Sequence, residues 1–180
     1  MTSLAIIEVH QGRHDDATAH LAEALPLARL LDDPATEGQV LVELGILYGR
    51  LGRSADAAAT LERALALARR IGNRAAEARA TVELGTLARK ADRVPAALHH
   101  HRHAVDLYQR LGARAAEAAA RIKLGDTLRA AGDDTAARAE YTAALHQAGL
   151  LDDREQYAHA SHRIGTLDFA AGHGEAARSS

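Results

Sequence analysis

The sequence predicts an all-α fold in which antiparallel helix hairpins stack as a solenoid of about four repeats. Three observations indicate it: a composition poor in aromatic residues, an internal repeat, and small residues at fixed positions within that repeat. Hydrophobic residues make up 47% of the chain, but aromatic residues only 3%. A core of Ala, Leu, Val and Ile favours closely packed helices over a sandwich or barrel, whose strands usually carry β-branched and aromatic residues.

The 40-residue period is visible at five positions of the repeat. An apolar residue paired with a small one opens it, a glycine or aspartate follows seven positions later, and an alanine, a larger residue and a second alanine come after that. The pairs are Leu4-Ala5, Leu44-Gly45, Leu84-Gly85, Leu124-Gly125 and Ile164-Gly165; then come Gly12, Gly52, Asp92, Gly132 and Gly172; then Ala17, Ala57, Ala97, Ala137 and Ala177; then Leu21, Leu61, His101 and Tyr141; and last Ala24, Ala64, Ala104 and Ala144. Agreement at five positions over four periods is not expected by chance.

Each period is predicted to form two helices, because apolar residues recur at helical spacing on both sides of its central turn. The first helices are expected at 34–50, 74–90, 114–130 and 154–170, and the second helices at 54–71, 94–111 and 134–149. The chain is therefore predicted to be one domain, 1–180. It would contain a partial repeat at 1–31, full repeats at 34–71, 74–111 and 114–150, and a partial repeat at 154–180.

Residues at the helix boundaries agree with this division. Caps at helix starts are expected from Ser54 and from the acidic pairs Asp32-Asp33, Asp133-Asp134 and Asp152-Asp153. Pro34 and Pro95 fall in a first helical turn, where a missing N–H is tolerated, and left-handed exits are expected at Gly52, Gly72, Gly112 and Gly132. Pro26 lies inside a second helix and predicts a bend or an early end there.

The recurring small residues have a mechanical role. Gly45, Gly85 and Gly125, together with Ala57, Ala97 and Ala137, are expected to let the two helices of a hairpin approach closely. A larger side chain at these sites should force the helices apart.

Charge and residue usage exclude several functions. A net charge of −2 provides no overall attraction for nucleic acid or anionic lipid, so direct nucleic-acid binding is not predicted. Cysteine is absent, which excludes disulfides and thiolate chemistry. No segment reaches the roughly 18 apolar residues of a membrane span, and the first residues lack the basic stretch of a signal peptide. A cytoplasmic protein without membrane contact is predicted.

With these residues in place, the sequence resembles the tetratricopeptide repeat family. The family motif is matched best by Leu44, Gly45 and Tyr48 in a first helix and by Ala57, Leu61 and Ala64 in the second. Asp92, His101, Ala88, Leu128 and Asp168 depart from the motif, and these departures predict less tight packing in the third and fifth units. The resemblance implies a right-handed superhelix whose first helices line a concave groove that receives a peptide or partner domain.

The 40-residue unit is also similar to the carboxy-terminal repeat arrays of actinobacterial transcription and signalling regulators. An arginine-rich composition, with Lys90 and Lys123 as the only lysines, suggests a GC-rich, actinobacterial genome. The sensor or scaffold region of a bacterial regulator, built for protein–protein interaction, is the leading functional hypothesis.

The resemblance also implies which residues line the groove. Its expected lining is apolar along the first helices and mostly basic toward the carboxy-terminal half, which fits an acidic, amphipathic peptide. The positions are Gln39, Val42, Glu43, Ile46 and Arg50; Arg79, Val82, Glu83, Thr86, Arg89 and Lys90; Ile122, Lys123, Asp126 and Arg129; and His159, His162, Arg163 and Thr166.

An inert, solvated helix face is the alternative explanation of these charges. Arg79 with Glu83, and Asp126 with Arg129, have the spacing of ion pairs within one helix, which need no ligand. Arg89 and Lys90 differ, because no acidic residue of the same predicted helix, 74–90, lies three or four positions from either.

Other chemistry has little support in the sequence. Asn73 is the only asparagine, so the asparagine-containing carboxylate clamp of the family is not available. His99 and His103 have a spacing that can chelate zinc, but a chance cluster is the preferred explanation and no metal site is predicted. Nucleotide-binding and nucleophile motifs are missing from the sequence, so no cofactor and no enzymatic activity are predicted.

Both ends of the sequence fall within a repeat. The expectation is that the chain is part of a longer protein or buries its open ends against a neighbour. A self-assembling repeat unit, with a homodimer through uncapped ends, is therefore the alternative function.

Overall fold

The computed structural model describes the backbone of residues 14–178 and the side chains of residues 16–172. That part of the chain consists of eight α-helices joined by short turns, with no strand, which confirms the predicted all-α fold. The helices are α1 (His14–Leu30), α2 (Pro34–Arg50), α3 (Ser54–Arg70), α4 (Arg74–Lys90), α5 (Val94–Leu111), α6 (Arg114–Ala130), α7 (Asp134–Leu150) and α8 (Arg154–Arg178). Among them, none is long and apolar enough to cross a membrane.

Helices α2 to α8 begin at the predicted residues, and all of these except α8 end within a residue of the predicted limit. The last helix was predicted to stop near 170, but it runs through Gly172 to Arg178. Glycine permits a left-handed exit without requiring one, so the residue alone does not end a helix. The helix expected from residues 1 to 10 lies outside the described residues.

The described turns share one backbone conformation, which recurs after each helix from α1 to α7. A residue with positive φ follows each helix from α1 to α7: Asp32, Gly52, Gly72, Asp92, Gly112, Gly132 and Asp152. In most of these turns the next N–H donates to a carbonyl five positions back, as from Arg53 to Tyr48 at 2.9 Å. This is the Schellman ending of a helix, which satisfies carbonyls that the helix leaves open. Left-handed exits at the four glycines were predicted and are confirmed.

Aspartate occupies the left-handed position in three turns where the prediction had only caps or a departure from the motif. Asp32, Asp92 and Asp152 have φ of 48°, 57° and 52°. Aspartate tolerates this region better than most residues because its short polar side chain can bond locally, but it still bears a Cβ penalty that glycine avoids.

Helix starts are capped by side chains at some of the predicted positions. Asp33 accepts from the Thr36 N–H at 3.0 Å, Asp133 from Ala136 at 2.9 Å, and Asp153 from Gln156 at 3.1 Å. The bonds from Thr36, through its hydroxyl and its backbone, lower the pKa of Asp33. The predicted cap at Ser54 is wrong: the N-cap is Arg53, without a side-chain hydrogen bond, and Ser54 is already the first helical residue.

Pro26 does not end α1, which continues to Leu30. Pro26 and Ala22, four positions earlier, both lie on the exposed face of α1. The carbonyl that loses its helical hydrogen bond to proline can therefore be solvated. The predicted early end is wrong for this reason.

Contacts between Cα atoms divide the chain into two compact units, Met1–Ala91 and Asp92–Ser180. In the first unit, α1 to α4 pack each against the next, and α2 also contacts α4. One core cluster joins Ala17, Leu21 and Ala24 of α1 to Val40, Leu44 and Leu47 of α2. A second joins α2, α3 and α4 around Leu61.

Gly45 allows α2 and α3 to approach closely in the first unit. A Cβ built on Gly45 would lie 2.5 Å from Leu61 Cγ and 2.7 Å from Cδ2. Real Cβ atoms essentially never come so close. The predicted role of this glycine is thus confirmed, and Leu61 is the side chain that uses the space.

The second unit repeats the arrangement with a larger side chain. A Cβ on Gly125 of α6 would lie 2.5 Å from Cε1 of Tyr141 on α7, and Tyr141 is completely buried. Within its repeat, Tyr141 stands at the position that Leu61 holds relative to Gly45. Matching positions in the two units therefore have matching environments.

His101 occupies the same core position on α5 and is 0% exposed. Its Nδ1 lies 2.9 Å from the Thr127 hydroxyl, which donates to the Lys123 carbonyl at 2.9 Å. Because that hydroxyl proton is already used, Nδ1 must be the donor to Thr127. The looser packing predicted around His101 is not found at this side chain.

Replacing Asp92 by glycine is expected to raise the free energy of unfolding by roughly 0.5–1 kcal/mol, because glycine bears no Cβ penalty at φ 57°. Thermal unfolding followed by circular dichroism measures the change. Gly52→Ala, at φ 76°, serves as the reverse substitution and should destabilise by a similar amount. A lower midpoint for Asp92→Gly would contradict this account of the turns.

Candidate functional site

Residues predicted to line a groove fall into three environments. Val42 is only 1% exposed and belongs to the interior, so it is not available to a partner, whereas Ile122 is 6% exposed and shows only an edge to the surface. Val82, Glu83, Ile46 and Thr86 are half-buried, while Gln39, Arg50, Lys90 and Arg129 are exposed.

In the first unit, two of the predicted charges form an ion pair between helices. Arg79 on α4 donates to Glu43 on α2, joining the first helices of two successive repeats. Arg50 and Lys90 lie in the last turns of α2 and α4, where cations are stabilised by the helix dipole without any ligand. Within the described residues, neither Arg89 nor Lys90 forms an ion pair, and Arg89 Nε is buried without a hydrogen-bond acceptor.

The second unit contains a cleft of about 390 Å³ between α6 and α8, the first helices of two successive repeats. We call it the α6–α8 cleft. Its lining residues are Ala119, Ile122, Lys123, Asp126, Glu155, Gln156, His159, His162 and Arg163. Its volume is within the usual range for ligand sites. Six of its nine lining residues were predicted from the sequence.

Asp126 organises one wall of the α6–α8 cleft. Arg163 donates to it through Nε at 2.7 Å and through a terminal nitrogen at 3.3 Å, and the Tyr141 hydroxyl donates to it at 2.9 Å. The bond to Asp126 raises the pKa of Arg163. Burial, reinforced by Asp126, raises the pKa of Tyr141. Asp126 is thus satisfied within the protein and fixes the orientation of Arg163.

The predicted pair of Asp126 with Arg129 is not formed. Arg129 donates instead to the Thr166 hydroxyl at 3.3 Å, and Asp126 pairs across to α8. Helical spacing permits an ion pair between Asp126 and Arg129 within α6. Arg163 of α8, however, forms two hydrogen bonds with Asp126, and such bidentate arginine–carboxylate pairs are stronger.

Lys123, His159 and His162 are the remaining basic groups of the cleft. Lys123 is half-buried and makes no ion pair in the described part of the chain, and both histidines are exposed. Glu155, at the first turn of α8, is the only other acid in the lining. The cleft therefore combines a floor of Ala119 and Ile122 with polar groups that point into it from both helices.

Sequence reasoning missed three lining residues. Ala119 could have been found, since it lies one repeat after Arg79 and one repeat before His159, both of which were predicted. Glu155 and Gln156 gave no signal, because the matching positions of the other repeats were not expected to face a groove. They enter the lining through the first turn of α8.

Two buried carboxylates outside the cleft hold the repeats together. Glu77 accepts from Arg69 at 2.9 Å and from Arg74 at 2.7 Å, and Glu117 accepts from Arg121 at 2.9 Å. Burial alone would raise the pKa of each carboxyl, but the hydrogen bonds to basic and amide groups outweigh it and lower both pKa values. These carboxylates are structural.

The histidine run on α5 is divided between core and surface. His101 is in the core, His99 is exposed, and the ring centroids of His99 and His100 lie 5.7 Å apart in an edge-on arrangement. Among the residues that the structure describes, no group of three or more metal-ligating side chains is found.

The helices, their turns and the cleft define a helical repeat protein built from stacked hairpins. Residues 1–70 match the family model for the tetratricopeptide repeat, which confirms the resemblance seen in the sequence. The chain is thus a helical repeat protein, and its first 70 residues match the tetratricopeptide repeat. Among curated proteins, no sequence matches this chain.

Solved structures share the fold over nearly all of the chain. BtubC (BKLC) from P. vanneervenii has a TM-score of 0.81 at 24% identity, covering 94% of this chain and 70% of that one. The Rap conjugation gene regulator of plasmid pLS20, in complex with the Phr* peptide, has a TM-score of 0.81 at 21% identity, covering 89% and 44%. A Rap protein complexed with Competence and Sporulation Factor has a TM-score of 0.85 at 15% identity, covering 99% and 50%. The chain spans about half the length of these Rap proteins.

Proposed function

We propose that this chain is a protein-interaction module whose α6–α8 cleft binds an extended or helical segment of another polypeptide. The observation that carries the proposal is the cleft itself: two facing first helices enclose about 390 Å³ with an apolar floor and inward polar groups. Small-molecule sites have a similar make-up, but stacked repeats form extended concave surfaces, and these suit a chain molecule.

An acidic, amphipathic segment fits this lining. Its apolar side chains would contact Ala119 and the exposed edge of Ile122, and its carboxylates would approach Lys123 and the two histidines. Because Arg163 is paired with Asp126, its charge is largely neutralised. It helps to form the wall of the cleft and can still donate a hydrogen bond to a peptide. Lys123 is therefore the main determinant of acid recognition.

The structural relatives support a role in regulation. One Rap protein of the same fold is a conjugation gene regulator in complex with a peptide. We therefore propose that this chain is the sensor or scaffold portion of a bacterial regulator. The actinobacterial origin suggested by its composition belongs to the same proposal.

Selection from a displayed library of random peptides tests the proposal. We expect the enriched peptides to combine acidic and apolar residues, and Lys123→Glu to weaken their binding by at least about tenfold, or ~1.4 kcal/mol. Binding is measured by fluorescence anisotropy with labelled peptide, and circular dichroism and light scattering verify that helicity and size are unchanged.

The matched control is Arg102→Glu, which makes the same charge change in the same unit at an exposed position of α5, outside the α6–α8 cleft. It should leave affinity within about twofold, since an exposed charge at a distance is largely screened. Equal losses in both variants, or a library that yields no peptide, would refute binding in the cleft.

A second candidate is self-association, favoured by large apolar side chains at the surface. Leu30 and Leu31 at the end of α1 are 82% and 77% exposed in the first unit, and Phe169 is 68% exposed in the second; contiguous exposed apolar surface can mark an interaction site. The light-scattering measurement above separates the two functions. A dimer that persists in the Lys123→Glu variant, without any peptide bound by wild type, would favour self-association.

A further inference from the structure

Two histidines line the α6–α8 cleft side by side on one helix. His159 and His162 lie one turn apart on α8, line the cleft, and are exposed to solvent. Imidazole is the side chain that ordinarily changes charge between pH 5 and 8. Any anionic group held in the cleft would therefore meet a different number of cations across that range.

The other charged groups around these histidines are nearly balanced. On α6 they face Lys123 and Asp126, and on α8 they are flanked by Glu155 and Arg163. From α7, Tyr141 bonds to Asp126, and Arg138 pairs with Asp168 of α8. With neutral imidazoles the two basic and two acidic groups of the lining cancel, and with both imidazoles protonated the lining carries a net charge of +2.

We infer that the α6–α8 cleft captures acidic polypeptide segments in a proton-dependent manner, tightening as the pH falls from about 7.5 to about 5.5. This inference rests on the proposed function and adds regulation to the same site. The partner's carboxylates ordinarily titrate near pH 4, so they keep their charge over this range and only the cleft changes. Arginine and lysine side chains ordinarily titrate far above this range, so imidazole is the type of side chain in the lining that can respond.

The test uses an acidic peptide selected by the library experiment, labelled with a fluorophore, and its analogue in which every acidic residue is replaced by the amide. Affinity is measured by anisotropy at pH 7.5 and 5.5 in low salt, where exposed charges are least screened. Wild-type protein should bind the acidic peptide at least about fivefold more tightly at pH 5.5, and should show no such gain with the amide analogue.

Two double variants locate the effect. In His159→Gln/His162→Gln, affinity for the acidic peptide should be the same at both pH values. The control, His99→Gln/His146→Gln, removes two exposed histidines of the same unit outside the cleft and should retain the full pH dependence.

The outcomes are distinct. Equal wild-type affinity at both pH values, or a pH dependence that survives His159→Gln/His162→Gln, would overturn proton-dependent capture while leaving peptide binding in place. No binding of the acidic peptide at either pH would overturn the proposed function, and this inference with it.

Discussion

Replacing Gly45 by alanine is expected to destabilise the protein by about 2 kcal/mol, although alanine is the better helix former. The new Cβ would lie 2.5 Å from Leu61 Cγ, an atom near the root of a fully buried side chain that cannot swing away. The helices α2 and α3 would have to separate. Chemical denaturation, followed by the helical signal in circular dichroism, gives the change in the free energy of unfolding.

The chain offers a control at the same position of the repeat. Gly165 matches Gly45 three repeats later, and a Cβ built on it meets nothing within 4 Å. Gly165→Ala should therefore stabilise by up to about 1 kcal/mol through helix propensity alone. The same substitution is expected to have opposite signs at the two sites.

A double variant tests the cause of the Gly45 effect. Leu61→Ala alone should cost about 3 kcal/mol, because it leaves a cavity. In that background the obstacle is gone, so Gly45→Ala should become neutral or stabilising. An equal cost in both backgrounds would show that Leu61 is not what Gly45 accommodates.

Replacing Tyr141 by alanine is expected to cost about 3–5 kcal/mol, the largest effect of a single substitution considered for this protein. Its ring fills the space over Gly125, and its hydroxyl satisfies Asp126 at 2.9 Å. Tyr141→Phe separates the two roles, since it keeps the ring and should cost only about 1 kcal/mol. Equal losses in the two variants would contradict a core-filling role for the ring.

Tyr141 also predicts a loss of stability in alkali. Its pKa is raised by burial and by the bond to Asp126, so the folded state holds the phenolic proton more tightly than the unfolded state. The resulting stabilisation is fully present below the unfolded value, near pH 10, and is lost as the pH rises above it. Tyr141→Phe should show a smaller loss between neutral pH and pH 11, measured by denaturation at each pH.

Much of the fold could be predicted because it depends on local chemistry repeated at a fixed spacing. Gly52 and Gly132 indicate left-handed turns by residue type alone. Asp32 and Asp152 did not indicate left-handed turns, because aspartate is also a common N-cap residue. The 40-residue register compares each turn only with the turn one repeat away, so it does not show that a left-handed residue follows every helix. A comparison of the turns within hairpins with the turns between hairpins would have revealed the shared left-handed position.

The cleft was only partly predictable, because its geometry depends on how neighbouring helices are rotated about their axes. The family register brought Lys123, Asp126 and Arg163 to one place, as the structure also does. It also placed Val42 in the groove, although this side chain is buried, because a modest rotation of the helix decides between groove and core. Ion pairs between helices, such as that of Arg163 with Asp126, follow from the same rotation.

Mapping the peptide by nuclear magnetic resonance tests the central claim, polypeptide capture between α6 and α8, most directly. A library-selected acidic peptide would be titrated into isotopically labelled protein at pH 5.5 while backbone amide shifts are followed. We expect the largest shifts to cluster at Lys123, Asp126, His159, His162 and Arg163. Shifts concentrated instead on the second helices α5 and α7, with those five amides unmoved, would contradict it.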